Sequence, residues 1–257
     1  MSAIPMNLRR LRQAKQLTQE SLADRAGLSR AAYRKIEGGQ SEPRVSTLQA
    51  IAVALDVRLA DLVAPVRALH AIRFRSLKRL RSREQILVEV GRWLSDFNEL
   101  EASAGDLAAD GSHRPGLPRL VDRQDPVEVA AKVREAFGLS PGEPIRDICG
   151  LLEAHGVKVG RMNLASHDFF GLSVAPADGG PAVVVNSWAR ISVERWIFTA
   201  AHELGHLVLH LADYDVSQTE ETEEHEQQAN AFAAAFLMPD EAFRREWDET
   251  YGLPFVD

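Results

Sequence analysis

The sequence predicts an α+β protein built from two modules, an all-helical N-terminal one and a C-terminal one that mixes helices with a small sheet. Three observations predict it. The 257 residues exceed the usual size of one domain. Apolar residues recur at helical spacing alone up to about residue 101, whereas beyond residue 126 helical stretches alternate with short β-rich runs. The charge also reverses along the chain: residues 1–83 hold 17 Lys/Arg against 6 Asp/Glu, net +11, and the remainder is −18. A basic head on an acidic body points to a polyanionic partner for the head alone.

Composition narrows the class further. With 45% hydrophobic and 26% charged residues the chain is globular rather than disordered. A single cysteine, Cys149, excludes an internal disulfide and a Cys-based zinc cluster. Without a long apolar run or a signal-peptide core ahead of Arg9, the expectation is a cytoplasmic protein with no membrane partner.

Residues 5–64 read as short helices. Leu8, Leu11 and Ala14 share one face of the first, and Thr18 is placed to cap a second over 19–25. Gly27 sits where a tight turn needs positive φ, and Ser29 begins a third helix that ends at Gly38 and Gly39. Leu48, Ile51, Ala52 and Leu55 give a fourth, and Leu59 with Leu62 a short fifth. Arg30 and Arg34 lie one turn apart and can project together toward guanine edges or phosphates. The stretch Leu17 to Gly39, LTQESLADRAGLSRAAYRKIEGG, resembles the Cro/C1-type (XRE) helix-turn-helix family. That resemblance implies a five-helix fold whose third helix enters the major groove of a double-stranded DNA operator. It also implies that Gln19 holds a phosphate while Ser29, Arg30, Ala31 and Arg34 face the DNA.

Residues 66–101 are expected to form a helical connector. Leu69, Ile72, Leu77 and Leu80, interleaved with seven basic residues over 67–83, suggest one amphipathic helix. Ile86, Val90, Trp93, Phe97 and Leu100 stripe a second, which could serve as core or as the seam of a homodimer. Residues 102–126, rich in Gly and Pro, read as a linker or loop.

In residues 127–245 two helices, 127–137 and 145–155, precede three short strands over 157–162, 169–175 and 182–186. Residues 246–257 read as a tail. A helix starting near Ser192 carries His202-Glu203-Leu204-Gly205-His206, the HExxH pattern. Histidines at i and i+4 stand one turn apart on one face, close enough for both to bind one Zn²⁺, with the intervening Glu203 able to accept a proton from water on the metal. A third ligand is required, and the acidic stretch 220–226 offers Glu223, His225 and Glu226. His210, eight residues after His202, reads as a structural or rim residue.

The segments HELGHLVLH and EQQANAFAAAFLMP together resemble the ImmA/IrrE family of zinc metallopeptidases. The resemblance implies Glu226 as third ligand and zinc-dependent cleavage of a protein, plausibly a helix-turn-helix repressor. Asn230, one turn after Glu226, could orient a ligand imidazole, and Tyr214 could stabilise an oxyanion. The strand 182–186, close before the HExxH helix, is expected to be the sheet edge to which a target peptide adds. A different class of function remains open from sequence: a regulator whose zincin-like domain senses or binds a partner without significant proteolysis.

Overall fold

The computed structural model describes residues 3–65, 69–76, 83–105, 117–118, 125–214 and 222–251. The chain divides into two compact units, Met1–Ala68 with Arg81–Phe97, and Leu69–Leu80 with Asn98–Asp257.

In the first unit, helices α1 (Ala3–Ala14), α2 (Gln19–Arg25), α3 (Arg30–Glu37), α4 (Val45–Leu55) and α5 (Leu59–Val63) enclose Leu8, Leu22, Tyr33, Ile51, Leu55 and Leu62. The caps are those that the sequence predicts: Thr18 Oγ1 accepts from the amide of Ser21 at 3.0 Å and Ser29 Oγ from that of Ala32 at 3.2 Å. Gly27 turns between α2 and α3 at φ +67°. Buried Asn7 fastens the first helix to the end of the fifth, its amide donating to the carbonyls of Leu62 at 3.1 Å and Ala64 at 2.9 Å.

The connector departs from expectation. Ile72–Ser76 forms strand β1, where an amphipathic helix is predicted over 67–83; residues 66–68 and 77–82 lie outside the described residues. The physical reason is that the Ile-Arg-Phe-Arg order also alternates with period two, and a partner strand far along the chain supplies the backbone hydrogen bonds. Helix α6 (Arg83–Gly105) follows, running four residues past the predicted boundary into the expected linker. Of its stripe, Ile86 and Val90 are buried as core, Trp93 and Phe97 are partly buried, and Leu100 is exposed. Most of 106–124 falls outside the described residues.

In the second unit, α7 (Pro126–Ala136), capped by Asp125, and α8 (Ile148–Ala154) lead into β2 (Lys158–Met162), β3 (Phe169–Val174) and β4 (Ala182–Asn186). Helices α9 (Val193–Leu209), α10 (Glu223–Leu237) and α11 (Asp240–Tyr251) complete it. The last of these is helical where a tail is expected. The sheet order is β1-β3-β4-β2, with β1/β3 and β3/β4 antiparallel and β2/β4 parallel. Strand 182–186 is therefore interior, not an edge. All five of its residues are buried, as suits a strand paired on both sides.

The α9 side of the sheet presents Gly171, Ser173, Val183 and Val185, and a core joins the two valines to Val133 of α7, Ala200 and Leu204 of α9, and Phe232 and Phe236 of α10. Buried Arg134 donates to the carbonyl of Phe236 at 2.6 Å, placing a cation at the C-terminal end of α10.

Candidate metal centre and nucleic-acid interface

Two glycines let the elements of the C-terminal site approach. A Cβ on Gly171 would stand 2.5 Å from Thr199 Cγ2 and 2.8 Å from the Val184 carbonyl, so glycine lets α9 lie close on β3 and brings Glu203 to the strand. On α9 itself, a Cβ at Gly205 would meet Phe232 Cδ1 at 2.9 Å and the Ala229 Cα at 3.4 Å. That close crossing of α9 and α10 sets Glu226 opposite His206.

The HExxH spacing and this crossing bring together the three ligand candidates. Nε2 of His206 lies 3.0 Å from Nε2 of His202 and 3.2 Å from Oε1 of Glu226, and Nε2 of His202 lies 3.5 Å from the same oxygen. Both imidazoles are buried and Glu226 is partly exposed. Burial pushes the His206 pKa down to about 3, which keeps the ring neutral as a metal ligand must be. Burial alone would raise the Glu226 carboxyl, but the two imidazoles that face it act the other way and hold the group well below the usual carboxylate range. Two imidazoles and one carboxylate converging in this way form a donor set that fits a zinc ion.

The outer nitrogens of these rings are also held. Asn230 Oδ1 lies 3.0 Å from Nδ1 of His202, so that nitrogen carries the proton and Nε2 keeps its lone pair toward the site. His210 does for His206 what Asn230 does for His202. Its Nδ1 is 3.0 Å from Nδ1 of His206, and its Nε2 is 2.7 Å from Gln228 Oε1. Since the Gln228 oxygen only accepts, His210 carries its proton on Nε2 and receives the His206 proton at Nδ1. His210 is thus a support of the site, where the sequence suggests a structural or rim residue. The signal was present as a second i, i+4 step, counted from His206 rather than from His202. His210→Ala is expected to weaken Zn²⁺ affinity about 10- to 100-fold, read by titration against a chelator of known affinity. Unchanged affinity would remove His210 from this role.

Glu203 is wholly buried, and its Oε2 accepts from Ser173 Oγ at 2.7 Å, which itself accepts from Tyr214 Oη at 2.8 Å. Tyr214 therefore orients the HExxH carboxylate through Ser173. Nothing in the local sequence singles out Ser173, because its pairing depends on how α9 lies across β3. Arg73 of β1, 3% exposed, completes the surroundings: its Nη2 is 3.1 Å from Nδ1 of His225 and its guanidinium carbon 5.9 Å from the centre of the Tyr214 ring. Glu223 is exposed, away from the three converging ligands.

In the N-terminal unit Ser29, Arg30, Ala31 and Arg34 all stand exposed at the start and outer face of α3. Arg30 is 3.8 Å from Glu20, with both side chains about two-thirds exposed (66% and 65%), a pairing easily given up to a phosphate. Gln19 is turned inward, its amide donating to Glu37 Oε1 at 3.1 Å.

Comparison with known proteins agrees with this division. The helix-turn-helix family matches residues 8–62, and the IrrE N-terminal-like domain of the M78 peptidase family matches residues 152–252. The HTH-type transcriptional regulator y4dJ of Sinorhizobium fredii is 42% identical over 59 residues, 23% of this chain and 77% of that protein. The chain belongs to the helix-turn-helix family and carries an IrrE N-terminal-like domain. The HTH-type transcriptional regulator YqaE of Bacillus subtilis is 45% identical over 57 residues, so this chain spans about half (49%) of that relative and 22% of its own length is matched. The restriction-modification controller protein C.AhdI of Aeromonas hydrophila is 36% identical, covering 24% of this chain and 92% of that one with a TM-score of 0.23. Among the described residues no helix of this chain is long and apolar enough to cross a membrane.

Proposed function

We propose that this protein is a cytoplasmic regulator that binds a double-stranded DNA operator through α3, as a homodimer on paired half-sites, and cleaves a protein target with its C-terminal unit as a zinc-dependent endopeptidase. The observation that carries the reading is the convergence of His202, His206 and Glu226 with Glu203 held beside them on the same helix turn. His202, His206 and Glu226 would hold a zinc ion, which would supply Lewis-acid chemistry and lower the pKa of water at the site. Glu203 accepts the proton of the attacking water and returns it to the departing amine. Ser173 and Tyr214 keep its carboxylate aimed for both transfers, and Asn230 and His210 fix the ligand rings. A helix-turn-helix repressor is the first substrate to try, because the resemblance to ImmA/IrrE metallopeptidases implies it.

The test uses the full chain. Purified protein is expected to take up one zinc per chain and to cut a helix-turn-helix repressor from the same genome neighbourhood into discrete fragments. Removing the metal with a chelator should stop the reaction and restoring zinc should revive it. Zinc uptake without cleavage of any such partner, together with specific operator binding, would instead support a sensor or partner-binding role, a reading favoured by the joining of the site to a DNA reader in one chain.

For the DNA arm, Arg30→Ala and Arg34→Ala should each weaken operator binding. An arginine bidentate to a guanine should cost about 1–3 kcal/mol and relax specificity at one base pair, whereas one on a phosphate should lower the salt dependence by about one counterion. Affinities unchanged at every salt concentration would dismiss α3 as the reading helix.

A further inference from the structure

The edge of β3 beside Glu203 is filled by a strand from elsewhere in the chain. β1 comes from residues 72–76, whereas the match to the IrrE N-terminal-like domain begins at residue 152. Within the matched segment the sheet therefore ends at β3, the strand whose Ser173 holds Glu203. β1 adds to that edge antiparallel, pairing Ile72 with Val174, Arg73 with Ser173 and Phe74 with Leu172. An extended peptide captured by an exposed sheet edge would make the same main-chain ladder.

The side chains of β1 suit that of a bound peptide better than those of a structural strand. Directly opposed residues of an antiparallel pair share a face, so Arg73 stands beside Ser173 on the side of the sheet covered by α9. There it reaches His225 and lies against the Tyr214 ring. Burying a guanidinium is costly, and an apolar residue would cover the edge at less expense. Ile72 and Phe74, on the opposite face, supply the apolar anchoring. The start of the strand is held by a latch: Asp178 Oδ2 accepts from the backbone amides of His70 and Ala71, the latter at 2.6 Å, and the Ala71 carbonyl accepts from the amide of Ala175 at 2.9 Å.

We propose that the β3 edge is the peptide-binding edge of the C-terminal site, that it selects an extended segment with arginine opposite Ser173, and that β1 is its intramolecular occupant. This rests on the reading of the site as a peptidase, and it adds what the site receives and what keeps other chains out. A target peptide must displace β1, which competes at the high effective concentration of a tethered ligand.

The probe is a fluorescent synthetic peptide copying residues 69–76, titrated into the zinc-loaded full chain. Asp178→Ala removes the latch without touching the metal ligands or Glu203. It should increase exchange of the β1 amides, and it should bind the peptide at least about 10-fold more tightly than wild type because the cis competitor is weakened. A peptide with glutamate at the Arg73 position should lose that binding. Should the Asp178 variant melt out, Ala71→Pro deletes one latch donor from the strand side, where proline is tolerated at a strand start, and gives the same comparison. Faster β1 exchange with no gain in peptide affinity, or equal binding of the glutamate peptide, overturns the proposal. Binding, exchange and zinc content are measured without turnover, so a chain that exchanges the strand but cuts nothing contradicts the peptidase reading and not this one.

Discussion

Glu203→Gln is expected to retain one zinc per chain and to lower the rate of target cleavage by about 10²- to 10⁴-fold, the contribution of a positioned general acid–base group. Glutamine is close in shape to the native side chain and can still accept from Ser173 Oγ, now 2.7 Å from Glu203 Oε2, so the helix and the ligand rings should stay in place. What is lost is the capacity to take a proton from water and deliver it to the leaving amine. Fragment appearance on gels, paired with zinc analysis of the same preparations, reads both halves of the expectation. A glutamine variant that cleaves at the wild-type rate would remove Glu203 from the chemistry. One that loses zinc as well would mean that the carboxylate serves the fold of the site.

In the other unit the largest effect is expected at Glu37. Its side chain is 2% exposed and accepts from Arg12 through Nε and Nη2, both at 2.8 Å, with Gln19 adding a third donor at 3.1 Å. Glu37→Ala leaves the Arg12 guanidinium largely buried without its carboxylate, a loss of about 3–5 kcal/mol for breaking one side of such a pair. The pH dependence has a definite sign. Burial by itself would raise the Glu37 carboxyl, but the hydrogen bonds from Arg12 and Gln19 outweigh it and hold the folded value below the ordinary one. The stabilisation is therefore full above the unfolded pKa of about 4.3 and fades as pH falls through the lower folded value. Hydrogen exchange of the α1 and α3 amides in the full chain should show a gap between wild type and variant at pH 7 that narrows on acidification through this window. A gap independent of pH would mean that the carboxylate's charge is not what stabilises these helices.

What could be seen in the sequence was what short-range geometry determines. The turn at Gly27, the caps at Thr18 and Ser29 and the one-turn separation of His202 and His206 all follow from residues within a few positions of one another. Glu226 needed the resemblance to a family, because three acidic or imidazole candidates crowd 223–226 and only the crossing of α9 with α10 at Gly205 favours one of them. Strand β1 and the interior place of β4 differ from the sequence expectation for a shared reason. Strand order is set by partners distant in sequence, and a run such as Ile-Arg-Phe-Arg satisfies a helical and an extended pattern until one of those partners is present. By spacing alone Arg73 belongs with the basic residues of an amphipathic helix, whereas its side chain ends beside Tyr214 and His225.

The ladder between β1 and β3 joins residues roughly 100 positions apart, Ile72 with Val174. A chain leaving the ribosome grows from its N-terminus, so α1 to α5 have all their neighbours before the residues of β3 have been made. β1 is the first strand of the sheet to be synthesised and must wait until β3 has been made before it can pair, with its backbone groups meanwhile exposed to any other strand. The order of synthesis thus yields a helix-turn-helix body before the sheet edge can be filled, and the interval between them is a property of chain length rather than of any contact in the finished fold.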